Sequence, residues 1–224
     1  MLHWFEPANI YCERTDPSFW SEPVNALTNL AFVVAGLLLI AQRRPPARLL
    51  GTLIVLIGLG SFLFHTFANR LTGFLDVFFI GVYLIAYAWL WPRWVTNAGF
   101  VIRSSSVVAL ILLIGMASAS VAWLKPLAPG LPPGAYLGAW FYVIALATLS
   151  ATNQRRAGIW LWATAGLFLV SMTARQLDLP LCEQLGGSHW LWHVMNAGVL
   201  YASARALLIG AEYSGSETMR QVKA

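Results

Sequence analysis

Three of the four histidines in this sequence stand where they can share one metal ion. His189 and His193 are four residues apart in Ser188-His189-Trp190-Leu191-Trp192-His193, so on a helix they lie on one face about one turn apart. Ser61 and His65 repeat that spacing far upstream, and Asp76 follows in the next apolar run. Imidazoles arranged in this way hold zinc, and three protein ligands with an open fourth position make a hydrolytic centre rather than a structural one. In such a centre Asp76 handles the proton of the attacking water, and Ser61 can approach the same polar centre as His65.

Each of these residues also has a plainer use. His189 and His193 could anchor a helix at a membrane interface beside Trp190 and Trp192. Ser61 could bond its own helix backbone or help helices pack. Asp76 lies between Leu75 and Val77, where an unpaired carboxylate is expensive; Arg70 or Arg175 could pair with it, although a metal-bound water or a histidine suits it better. Glu22, Asn25 and Asn29 form a polar stripe at helical spacing, in which the two asparagines are expected to be interhelical donors. Glu13, Asp16 and Glu22 are hard oxygen ligands of the kind calcium takes, with a solvated acidic segment as the alternative. His3, near the terminus, is expected to have no role.

The elements that must position these residues follow from composition. The chain has 224 residues, 58% hydrophobic and only 10% charged, with a mean hydropathy of +0.67. That is too apolar for a soluble domain of this length and predicts an all-α integral membrane protein. A net charge of +5 could suggest a nucleic-acid partner. The basic residues instead sit in short loops between apolar runs, so no nucleic acid is expected. Spans are predicted at 24–41, 49–67, 74–90, 107–123, 135–150, 158–173 and 189–210, giving a bundle of seven transmembrane helices. Residues 1–23 form an amino-terminal segment, 24–210 a single catalytic domain and 211–224 a polar tail expected to be frayed. Residues 1–22 carry four acidic side chains and no apolar core, so no cleavable signal peptide is expected.

Orientation comes from counting Lys and Arg in alternate loops. Arg43, Arg44, Arg48, Arg93, Arg103, Arg155, Arg156, Arg205, Arg220 and Lys223 fall on one side, against Arg14, Arg70, Lys125 and Arg175 on the other. The amino terminus is therefore expected outside and the carboxyl terminus in the cytoplasm. This topology brings Ser61, His65, Asp76, His189 and His193 to the same outer side, an agreement that the choice of those residues did not use. Cys12 and Cys182, the only cysteines, fall on that oxidising side too and are expected to pair, with two free thiols as the alternative.

Several pieces together resemble the alkaline ceramidases, within the superfamily of seven-helix zinc hydrolases that includes the adiponectin-type receptors. They are Cys12-Glu13 with Glu22 and the Asn25 to Asn29 spacing, Gly60-Ser61-Phe62-Leu63-Phe64-His65 followed by Asp76, Asp178 with Cys182, and Gly187-Ser188-His189-Trp190-Leu191-Trp192-His193. They run across nearly the whole chain. The resemblance implies zinc on His65, His189 and His193, Asp76 as the group that activates water, and Ser61 beside the metal and the substrate carbonyl. It also implies a calcium site, to which this chain brings Glu13, Glu22 and Asp16. There the sequence departs from the family pattern, with Ile10 and Thr15 in place of an Asp and an Asn.

The expected function is zinc-dependent hydrolysis of the amide of ceramide or a related N-acyl lipid, a membrane-lipid substrate whose acyl chain stays in hydrocarbon. The rival is a seven-helix receptor or sensor that binds lipid without turnover, for which Asp76 would have no use as a proton acceptor. A retinal protein is disfavoured because neither Lys125 nor Lys223 falls in the last span, and a transporter because no paired, broken helices recur in two halves.

Overall fold

A computed structural model describes residues 3–222; Met1, Leu2, Lys223 and Ala224 lie outside it. A short 3-10 turn, His3–Phe5, precedes helices α1 (Pro23–Thr28), α2 (Leu30–Ile40), α3 (Pro45–Phe67), α4 (Arg70–Val95), α5 (Phe100–Leu124), α6 (Gly134–Asn153), α7 (Arg155–Gln176), α8 (Cys182–Leu185) and α9 (His189–Val222). Among the described residues there is no strand, only an isolated antiparallel bridge between Pro7 and Asn69. Seven helices are long and apolar enough to cross a membrane, α1 and α2 counting as one span, Pro23–Ile40.

Local chemistry sets the boundaries. Pro23 opens α1, where a missing N–H costs nothing, and the Glu13 carboxylate accepts the orphan N–H groups of Val24 and Asn25 at 2.7 and 2.8 Å. The first span is interrupted at Asn29, whose amide donates back to the Asn25 carbonyl and competes with the helix ladder. Arg44-Pro45-Pro46 starts α3, which ends on Ala68 in a left-handed conformation. Asn69 and Thr72 then exchange hydrogen bonds across the first turn of α4 in the manner of a capping box.

Most helices run a few residues past the predicted spans, and two boundaries differ by more. Helix α5 begins at Phe100, several residues before the expected start, because Arg103 does not stop it: its guanidinium lies 3.9 Å from the centre of the Trp89 ring and its Nε donates to the Trp89 carbonyl. The tail expected to be frayed is instead the end of α9, helical as far as Val222. No proline follows His189 to break the helix.

The chain forms two compact units. One comprises Met1–Tyr83 with Val170–Leu200, and the other Leu84–Leu169 with Tyr201–Ala224. In the first, α2 and α3 approach closely through glycine: a Cβ on Gly51 would lie 2.6 Å from the Gly36 carbonyl oxygen. Gly60 plays the same part between α3 and α4, where a Cβ would stand 2.7 Å from the Leu75 oxygen. In the second unit α6 packs on α5 through Gly134 and Gly138, against Ser118 and Ile114. All the candidate site residues named above belong to the first unit.

Candidate metal centre

The centre lies where α3 ends and where α4 and α9 begin. Ser61 and His65 occupy successive turns of α3, both buried, and His65 is wholly inaccessible. On α9, His189 and His193 fill the first two turns and are also buried. The start of α9 is fixed by Asp178, whose Oδ1 accepts the N–H groups of Ser188 and His189, each at 2.9 Å, while Oδ2 accepts Cys12 N–H at 2.9 Å. Gly187 permits this, since its φ is +91° and a Cβ there would stand 2.6 Å from the same Oδ1. Cys12 and Cys182 form a disulfide, which ties the amino-terminal segment to the loop ahead of α9.

These elements bring the three histidines together. One ring nitrogen from each lies within 4.8 Å of the other two, the one group of three or more potential His, Cys, Asp or Glu ligands among the described residues. One nitrogen of each ring, His65 Nε2, His189 Nδ1 and His193 Nε2, is buried with no hydrogen-bond partner. A buried polar atom left without a partner costs about 1–3 kcal/mol, so three in one place call for a shared occupant. Interfacial anchoring explains neither their burial nor their convergence. Three imidazole nitrogens are a donor set that zinc accepts, and the residues fit that ion.

The opposite ring nitrogens are oriented by neighbours. His65 Nδ1 pairs with Glu22 Oε2 at 2.5 Å, and His193 Nδ1 lies 2.9 Å from Thr28 Oγ1. The Thr28 hydroxyl already donates to the carbonyls of Val24 and Asn25, so it accepts the proton of His193 Nδ1 and leaves Nε2 with its lone pair free. A carboxylate on His65 does the same and makes the ring a better ligand. His189 is held by stacking on Tyr11, with ring centroids 3.7 Å apart and planes at 23°. Arg175 Nη2 in turn donates to Tyr11 Oη at 3.3 Å.

Glu22 is almost wholly buried, and its environment keeps it anionic. Burial pushes its carboxyl up, but the hydrogen bonds from His65, Arg14 and Asn25 outweigh that and hold it below the ordinary glutamate range. Arg14 Nε donates to Glu22 Oε1 at 2.5 Å, and Asn25 Nδ2 to Oε2 at 3.1 Å.

No protein-family model matches the sequence, and no curated protein matches it significantly. What the centre can do follows from its own chemistry.

Asp76, in the second turn of α4, is partly buried, and Ser61 on α3 and the Arg175 guanidinium are close enough to bear on its carboxylate. Gly60 makes that meeting of α3 and α4 possible. Arg70, the other cation considered for Asp76, pairs with Glu6 at 2.7 Å. The three carboxylates expected to take calcium are engaged by the chain itself: Glu13 caps α1, Glu22 faces Arg14 and His65, and exposed Asp16 accepts Ser18 N–H at 2.7 Å. Sequence reasoning missed Arg14, Tyr11 and Thr28. Of these only Thr28 carried a legible signal, lying three residues after Asn25 in the polar stripe.

Proposed function

We propose that this protein is a zinc-dependent amide hydrolase of the membrane, cleaving ceramide or a related N-acyl lipid into a fatty acid and an amine. The observation that carries the reading is the convergence of three buried imidazole nitrogens that have no hydrogen-bond partner.

His65, His189 and His193 would hold zinc, which would supply a Lewis acid for the carbonyl and, by lowering the pKa of water to about 7, a nucleophile at neutral pH. Asp76 takes the proton of the attacking water and returns it to the leaving nitrogen. Ser61, one turn before His65 on α3, offers its hydroxyl to the developing oxyanion. Glu22 and Thr28 hold two of the ligand rings in the tautomer that leaves Nε2 free. The carboxylate beside the triad is what favours turnover over a receptor that only binds.

A lipid substrate is supported by the surroundings. An almost wholly apolar groove of about 220 Å³ runs between the first span and α3, lined by Leu27, Leu30, Val33, Leu59 and Phe62. Gly58 in its wall is one turn from Ser61, so the groove offers an acyl chain a place alongside the reacting centre. The bias of Lys and Arg puts the amino terminus and the site on the extracytoplasmic side and the carboxyl end in the cytoplasm, and the disulfide fits that assignment.

The test is to incubate purified protein with a panel of N-acyl lipids, with and without a zinc chelator, and to measure released fatty acid by mass spectrometry. Chelator-sensitive release from at least one member is expected. Lipid binding with no release across the panel would favour the receptor.

A further inference from the structure

Arg14 makes four hydrogen bonds and is only 6% exposed. Beside its 2.5 Å contact with Glu22 Oε1, its Nη1 donates to the carbonyls of Asp16 and Ser18 at 3.2 and 3.3 Å, and its Nη2 to the carbonyl of His65 at 2.9 Å. One carboxylate and three backbone carbonyls converging on a positive charge are the oxygen set that a hard divalent cation would otherwise seek. Here the cation is part of the chain. The segment is the one in which the sequence led us to expect calcium.

The same guanidinium reaches the metal centre from two directions. It grips the Glu22 carboxylate, whose other oxygen pairs with His65 Nδ1. It also satisfies the His65 carbonyl, one of the last carbonyls of α3 and so without a partner inside the helix. Backbone and ring of one ligand are thereby referred to a single rigid fork, which a lysine could not reproduce.

We infer that Arg14 replaces a divalent cation in the amino-terminal segment and acts as a positioning residue for the metal centre, through Glu22 and His65. The inference rests on the zinc reading of the triad but not on the substrate. It predicts that zinc affinity depends on Arg14 and that calcium is dispensable.

The experiment measures zinc affinity by competition with a chromophoric chelator, in detergent, for the parental protein, Arg14→Gln, Glu22→Gln and the double variant. Outer partners of metal ligands are typically worth about 10–100-fold in affinity, so Arg14→Gln is expected to weaken zinc binding by about 10-fold or more. Most of that loss should vanish when Glu22→Gln is already present, because the effect travels through the carboxylate. Millimolar calcium, set against calcium-free buffer, should leave the parental affinity and melting temperature unchanged.

Parental zinc affinity in a folded Arg14→Gln protein overturns the inference, as does an equal loss in both backgrounds or a calcium-dependent rise in affinity. Should Arg14→Gln not fold, Arg14→Lys keeps the charge without the fork; an intermediate loss of affinity supports the inference and parental affinity refutes it. Failure of the parental protein to bind zinc at all would instead refute the reading of the triad.

Discussion

Gly60→Ala tests how the fold builds the Ser61–Asp76 pair. A Cβ at position 60 would lie 2.7 Å from the Leu75 carbonyl oxygen and 3.3 Å from Phe79 Cδ2. The first contact is with backbone, which cannot rotate away, so α3 and α4 must separate by about 0.5–1 Å to restore an ordinary carbon–oxygen distance of about 3.3 Å. The displaced carbonyl belongs to the peptide that carries Asp76 N, so the shift is delivered directly to the carboxylate facing Ser61. Overpacking of this kind costs about 1–3 kcal/mol, and a misplacement approaching 1 Å at a catalytic group costs up to about 10²-fold in rate. Purified Gly60→Ala should therefore melt below the parental protein and hydrolyse lipid about 10- to 100-fold more slowly. It should keep its zinc, since the Glu22 and Thr28 supports of His65 and His193 are not displaced. Parental turnover and melting temperature in this variant would refute the claim that close α3–α4 contact sets the pair.

Asp76→Asn keeps size and hydrogen bonding but removes basicity, so zinc content and folding should survive while single-turnover hydrolysis falls by about 10² or more; an unstable protein whose activity falls only with its folded fraction would instead mark Asp76 as a structural counter-ion. His193→Ala should lose zinc almost completely by elemental analysis, and full stoichiometry would remove His193 from the ligand set. The Cys12–Cys182 bond should appear as a cross-linked peptide in a non-reducing digest, and Cys12→Ser with Cys182→Ser should lower stability by about 2–4 kcal/mol through release of the closed loop.

Much of this architecture is legible in the sequence because its apolar runs are long enough to be read as membrane spans. Runs such as 49–67 must be helical to satisfy their backbone, and the rarity of ionisable residues inside them makes His65, Asp76, His189 and His193 conspicuous. Spacing places His189 with His193 and Ser61 with His65; the structure adds that His65 meets the His189–His193 pair. Arg14 was not legible, because one arginine in a loop reads as a topology marker and its partners Glu22 and His65 lie 8 and 51 residues away. Tyr11 was hidden for a similar reason: its ring meets His189 only once the disulfide and the Asp178 hydrogen bonds have folded the segment back. The acidic residues Glu13 and Glu22 carried a correct sign but an incomplete meaning. Their charges answer an N-terminal helix end and a guanidinium within the chain.

The most direct test of the zinc-hydrolase reading is a titration of metal-free protein with zinc in the presence of a labelled N-acyl lipid, following bound metal and released fatty acid together. The account predicts no release without metal, a rise in proportion to bound zinc, and a plateau near one equivalent that His193→Ala never reaches. Hydrolysis at the full rate in the metal-free protein, or zinc bound at one equivalent with no hydrolysis of any lipid in the panel, would contradict it.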